Sequence, residues 1–130
     1  LSLVGSEMCI RDRGIGFAVR FGNAAAEQGS YVDFTYSCAL RVQGELPKGL
    51  AEVWNASRRF ARLSLQGEFL LMEMDVVVAG VGAAHLRSQL ELWDRLLQEF
   101  IVYLRDYSQQ AAQLQAQASA APVDEEAPVL

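Results

Sequence analysis

The stretch YVDFTYSCALRV, residues 31–42, has the cleanest alternation in the chain. Val32, Phe34, Tyr36, Cys38, Leu40 and Val42 fall on one face of an extended backbone, and Asp33, Thr35, Ser37 and Arg41 fall on the other. Successive strand side chains point to opposite faces, so this period of two asks for a half-buried antiparallel sheet with one wet side. Immediately upstream, GIGFAVRF (14–21) repeats the pattern, with Ile15, Phe17, Val19 and Phe21 opposite Gly16, Ala18 and Arg20. The intervening GNAAAEQGS (22–30) is a loop by composition.

Downstream, QGELPKG (43–49) ends the strand and starts a helix, with Pro47 suited to its first position. On that helix Leu46, Leu50, Val53 and Trp54 share one broad face, while Glu52, Asn55, Arg58 and Arg59 face away. FARLSLQGEFLLMEMDVVV (60–78) returns to alternation: Ala61, Leu63 and Leu65 against Arg62, Ser64 and Gln66, then Leu70, Met72, Met74 and Val76 against Phe69, Leu71, Glu73 and Asp75. Gln66 and Gly67 suit a tight hairpin between the two runs. Phe69 and Leu71 on the outward side ask for a second layer or another subunit.

The longest element is HLRSQLELWDRLLQEFIVYLRDY, residues 85–107. Leu86, Leu90, Trp93, Leu97, Phe100, Ile101 and Leu104 recur at steps of three and four, the stripe of a sheet-packing helix. A second flank carries Leu92, Leu96, Tyr103 and Tyr107, making the face wider than one small sheet requires. Leu92, Leu96 and Tyr103 are therefore the candidate self-association residues, and a homodimer is one expectation. The other is that a further N-terminal segment covers them. The element order predicts an α+β fold, an antiparallel sheet of about four strands with helices packed on one face.

At 130 residues and 52% hydrophobic, the chain has room for one domain with a real core. The net charge of -5 is uneven, because residues 108–130 hold Asp124, Glu125 and Glu126 and no Lys or Arg. The remainder is near neutral and lacks the basic surface that neutralises a phosphate backbone, so nucleic acid is not the expected partner. Two separated cysteines, Cys9 and Cys38, and a single histidine support neither a disulfide framework nor a metal cluster. No apolar run approaches a bilayer span, and the expected setting is cytoplasmic, without a membrane partner.

Both ends differ from the middle. LSLVGSEMCIRDR (1–13) has no sustained period and is similar to the translation of a sequencing adapter, which implies that it stands in place of a lost N-terminal segment and lies outside the domain. From Gln109 to Leu130 the chain is rich in Gln and Ala, with two prolines and three clustered acids; helix is expected to fray into its start and disorder to follow after about Ala118. The domain is thus expected over residues 14–108.

Little in this domain points to chemistry. Met72, Met74, Trp54 and Trp93 sit on inward faces and read as core, and His85 has no second histidine to join it. Glu73 and Asp75 share a strand face, yet two carboxylates make neither a cation site nor a sugar cleft and serve to keep that face wet. The serines lack a nucleophile elbow, and RGIGFAV lacks the third glycine of a dinucleotide fingerprint. No catalytic residue, metal site or cofactor is expected, and the chain is read as a non-enzyme. Arg58, Arg59 and Arg62 form the one cationic cluster, suited to an acidic peptide or a phosphate, or simply solvated at a helix end.

One stretch carries a family resemblance. A helix with Trp54 and Asn55, then Arg58, Arg59 and Phe60, a strand hairpin, a Gly-containing junction and a final helix around Leu90, Trp93, Leu97 and Phe100 together span Glu52 to Phe100. This stretch resembles the YbjN family, described as bacterial sensory transduction regulators, and the likeness extends more weakly back to Gly14. That family is similar in fold to type III secretion chaperones, in which a first helix precedes the sheet. Such a helix is missing here, where the adapter-like residues stand. The resemblance implies a non-enzymatic regulatory or chaperone-like module that binds a protein partner, and it carries no active site to transfer. Asn55, Arg58, Arg59 and Arg62 are the candidate partner-binding residues, with small-molecule or anion sensing by the same arginines as the alternative function.

Overall fold

The computed structural model describes residues 2–4, 7–12 and 14–120. Its elements are β1 (Ser2–Val4), β2 (Glu7–Asp12), β3 (Ile15–Phe21), β4 (Asp33–Arg41), α1 (Leu50–Ser57), β5 (Arg62–Gln66), β6 (Phe69–Val77) and α2 (Ala83–Ala120). The strands form one antiparallel sheet in the order β1-β2-β3-β4-β6-β5, and the α+β architecture is as expected. Six strands replace the expected four or so, the additional pair coming from the segment that the sequence pattern set aside. Glu7–Asp12 pairs along β3, from Glu7 opposite Arg20 to Asp12 opposite Ile15. Such pairing is made by backbone hydrogen bonds, which need no alternation in the side chains and leave no such trace in a sequence.

The centre is the long pairing of β4 with β6, in register from Asp33 opposite Val77 to Arg41 opposite Phe69. Alternation then places Tyr36, Cys38, Leu70, Met72, Met74 and Val76 on one face, all buried, with Phe17 and Val19 of β3 and Leu63 of β5 beside them. Both helices cover this face. Trp93 of α2 stacks on Tyr36 at 5.2 Å and meets Phe17 edge-on at 5.8 Å, while Trp54 of α1 meets Phe100 at 5.9 Å. Trp54, Trp93, Met72 and Met74 are core, as their positions predict.

The opposite face carries a charged row. Glu73 accepts ion pairs from Arg20 of β3 and Arg62 of β5, each at 3.5 Å, and Arg62 reaches Asp75 at 2.9 Å. The Ser37 hydroxyl lies among them, accepting from Arg20 at 3.1 Å and donating to Glu73 at 3.4 Å. Cross-strand opposite charges are favourable neighbours on a sheet. Of the two outward apolar residues of β6, Leu71 is buried and Phe69 is exposed.

Three boundaries differ from expectation. Helix α1 begins at Leu50 rather than beside Pro47, because Gly49 takes a left-handed φ of 81° and its carbonyl accepts the first helical bond from Val53. The β5–β6 turn is Gly67-Glu68, with Gly67 at φ 61° and Gln66 opposite Phe69, so the glycine opens the turn in the manner of type II′. Helix α2 runs through Ala120, well into the Gln/Ala-rich segment; the rest of the expected disordered tail, from residue 121, lies outside the described residues.

The face of α2 is the largest correction. Leu96, expected outside, is 5% exposed and in the core, and Leu92, Tyr103 and Tyr107 pack against it. Leu86, Leu90 and Ile101, expected inside, are exposed. The flank turns inward because it has two bodies to meet: Trp93, Leu97 and Phe100 pack into the main core, and Tyr103 packs on Trp54 of α1 at 5.2 Å. The extra width is therefore used within one chain. Among the described residues no helix is long and apolar enough to cross a membrane.

Cys38 has no exposed surface, and burial pushes its thiol up to about 11. The thiolate is the reactive form, so modification of Cys38 by a disulfide reagent at neutral pH requires opening of the β4–β6 core. Its labelling rate is expected to rise with denaturant in parallel with the unfolded population; fast labelling in native buffer would contradict this packing.

Candidate functional site

The candidate polar residues lie where α1 ends and β5 begins, and the structure gives them separate duties. Asn55 is exposed, but its side-chain amide is fully engaged by the backbone of β5. Its amide nitrogen donates to the Leu63 carbonyl at 2.9 Å, and its amide oxygen accepts from the Leu63 N–H at 2.8 Å. One side chain thus imitates a pairing strand along the outer edge of β5, a position that otherwise offers unpaired backbone groups to a neighbouring chain. Trp54 extends the same clasp, its indole N–H donating to the Ala61 carbonyl at 3.2 Å.

Arg62 belongs to the charged row on the far side of the sheet. Its guanidinium bonds Asp75, which the Thr35 hydroxyl also bonds at 2.6 Å. The Thr35 hydrogen bond, which outweighs the opposing effect of burial, and after it Arg62 hold the Asp75 carboxyl below its ordinary value. Arg58 lies over the rings of Trp54 at 4.4 Å and Tyr103 at 4.9 Å, with its Nε 4.0 Å from Glu99. Arg59 lies 5.3 Å from the ring of Phe60. The four residues are close in sequence but do not converge: the sheet lies between Arg62 and the helices, and each guanidinium has a different environment.

An open groove of about 540 Å³ runs between α1 and the middle of α2. Val53 and Val102, 47% and 44% exposed, supply its apolar surface, Tyr103 and Tyr107 supply aromatic surface, and Arg58, Glu99 and Asp106 supply the charges. The tyrosines are fixed: Tyr103 donates to the Leu50 carbonyl at 2.6 Å and Tyr107 to the Lys48 carbonyl at 2.7 Å, tying α2 to the start of α1. A preformed concave apolar surface with a few placed charges is what docking of another molecule requires. Among the described residues no group of three His, Cys, Asp or Glu side chains comes together as a metal site.

Phe60, which the sequence marks only as part of the family-like stretch, has a conformation that no sequence pattern announces. It is the one non-glycine with positive φ among the described residues, at 78°, and its ring is 62% exposed. The Ala61 N–H donates to the Arg59 carbonyl at 2.9 Å, closing a three-residue γ-turn around it. The positive-φ form of this turn is rare and strained, at roughly 1–3 kcal/mol for such a residue. The surroundings enforce it, because Arg58 N–H bonds Trp54 on one side while Trp54 and Asn55 hold Ala61 and Leu63 on the other. Backbone φ has no sequence signature at a phenylalanine, whereas at glycine or asparagine it would have been anticipated.

Two outcomes follow from these contacts. Asn55→Ala should lower stability by about 1–2 kcal/mol by stripping Leu63 of both partners, and Asn55→Asp should cost a similar amount because a carboxylate cannot donate. Chemical denaturation of both beside Arg59→Ala checks the assignment, since the arginine change should be near neutral. Because its folded pKa is depressed, Asp75 contributes stability that is present above the unfolded carboxylate value, about 3.9, and lost as pH falls through the folded value. Asp75→Asn should therefore flatten the acid side of the stability profile, and an unchanged profile would remove Asp75 from the account.

Compared with protein-family models, with curated proteins and with solved structures, the chain gives no match.

Proposed function

We propose that this chain is a non-enzymatic, protein-binding regulatory or chaperone-like module, and that its docking surface is the groove between α1 and α2. The observation that carries the reading is the exposed pair Val53 and Val102, set beside fixed tyrosines and bordered by Glu99 and Asp106. Solvent-exposed valines in a concavity gain most from an apolar segment laid across them. The two carboxylates hold only exposed ion pairs, Glu99 to Arg58 at 4.0 Å and Asp106 to Arg105 at 3.5 Å, which basic residues of such a segment can replace, and Arg58, the one cation of the lining, is drawn over Trp54 and Tyr103. The resemblance of Glu52–Phe100 to the YbjN family, and of that family's fold to type III secretion chaperones, agrees with holding a segment of another protein. On this reading Val53, Val102, Glu99 and Asp106 replace Asn55 and Arg62 as contact residues. Sensing of an anion by Arg58, Arg59 and Arg62 has less support, because Arg62 is neutralised by Glu73 and Asp75 and Arg58 stands beside Glu99.

The test is fluorescence anisotropy with labelled peptides that alternate Leu with Lys, against matched peptides that alternate Leu with Glu. The Lys set should bind more tightly, and Val102→Glu should weaken it by at least about tenfold, the scale of losing a central apolar contact. Equal affinity for both sets, or binding indifferent to Val102→Glu, would overturn the groove assignment.

A further inference from the structure

The strained turn and the groove are complementary. Phe60 is held in an unfavourable backbone conformation, yet it is mostly exposed and absent from the core cluster, so the fold of the single chain gains little burial in return. Glycine would adopt the same backbone freely. Its base is rigid, fixed through Trp54 and Asn55, so the ring is displayed rather than loosely tethered. Beside it stands Arg59, which forms no ion pair with a carboxylate among the described residues and lies against the ring. The turn is thus an apolar knob with a positive charge. The groove offers exposed Val53 and Val102 beside two surface carboxylates, Glu99 and Asp106, whose present partners Arg58 and Arg105 form only exposed pairs at 4.0 and 3.5 Å.

We propose that Arg59 and Phe60 of one copy of this chain seat in the α1–α2 groove of a second copy, Phe60 against Val53 and Val102, and Arg59 toward Glu99 and Asp106. Knob and groove are neighbours on the same molecule, since Arg58 lines the groove and Arg59 and Phe60 follow it directly. That adjacency suits a two-fold dimer in which each copy gives a knob and receives one, so that the contact closes on itself. The surface shares Tyr103 with the Leu92, Leu96 and Tyr103 flank but leaves Leu92 and Leu96, which pack within the chain, outside it. The inference rests on the groove being a docking surface and adds a regulatory consequence: self-docking and a partner segment compete for one place.

Sedimentation equilibrium on the full chain tests it. The wild type should show a concentration-dependent monomer–dimer equilibrium. Phe60→Gly should weaken dimerisation by roughly thirtyfold, the scale of an aromatic anchor, while raising the thermal midpoint of the dilute monomer. Val102→Glu should weaken it similarly through the groove. A mixture of Phe60→Gly and Val102→Glu chains should associate more tightly than either alone, because a mixed dimer restores one intact knob and one intact groove in contact. A monomeric wild type, a dimer indifferent to Phe60→Gly, or a mixture no tighter than its parts would each overturn the proposal. The Leu–Lys peptides separate this from the groove reading. Peptide binding without dimers sinks self-docking alone, and a dimer of the expected behaviour without peptide binding sinks only the partner-segment reading.

Discussion

Trp54 is the point through which the helices, the sheet edge and the groove are joined. Its ring fills the space between Phe100 and Tyr103 of α2, its indole N–H holds the Ala61 carbonyl, and its outer surface carries the Arg58 guanidinium. A buried tryptophan removes a large apolar area from water and must place one polar hydrogen, and both needs are met here at once. From that placement follow the position of α1 on α2, the start of β5 at the sheet edge, and the location of Arg58 in the groove. The sheet beneath is more redundant, because β4 and β6 pair over nine residues each and no single side chain determines their register.

The two faces of the sheet illustrate how differently charge and apolar area are managed. On the helix face the aromatic group of Phe17, Tyr36 and Trp93 excludes water. On the other, no helix among the described residues covers the strands, and Glu73 meets Arg62 directly across from it while Arg20 and Asp75 join the row diagonally. Such pairs are worth little individually at a surface. Their value is that Glu73 and Ser37, which are mostly covered, have partners, so a face without a second layer remains compatible with water.

Polar residues at the α1–β5 junction divide between architecture and display. Asn55 completes the edge of β5, and Trp54 completes Ala61; together they impose on the intervening chain a turn that Phe60 would not choose. Local strain persists only where neighbours over-determine it. That is the physical link between the packing of α1 and an exposed aromatic with an arginine lying against it, and between those two and the groove a few residues away.

Alternation at Phe34, Tyr36, Cys38 and at Leu70, Met72, Met74 determined the sheet and its buried face, because a period of two admits only one division of side chains between two sides. Periodicity likewise determined that α1 and α2 exist and that Trp54, Trp93 and Phe100 are inside. The pattern could not say which way a wide apolar face turns, since Leu92, Leu96 and Tyr103 look alike whether they meet α1 or a second chain. Nor could composition distinguish Asn55 on a strand edge from Asn55 in solvent, or reveal that Phe60 has a positive φ. Those were decided by tertiary structure, for one reason: each depends on what another, distant segment places alongside, and a single sequence records the side chains of a contact without recording that they meet.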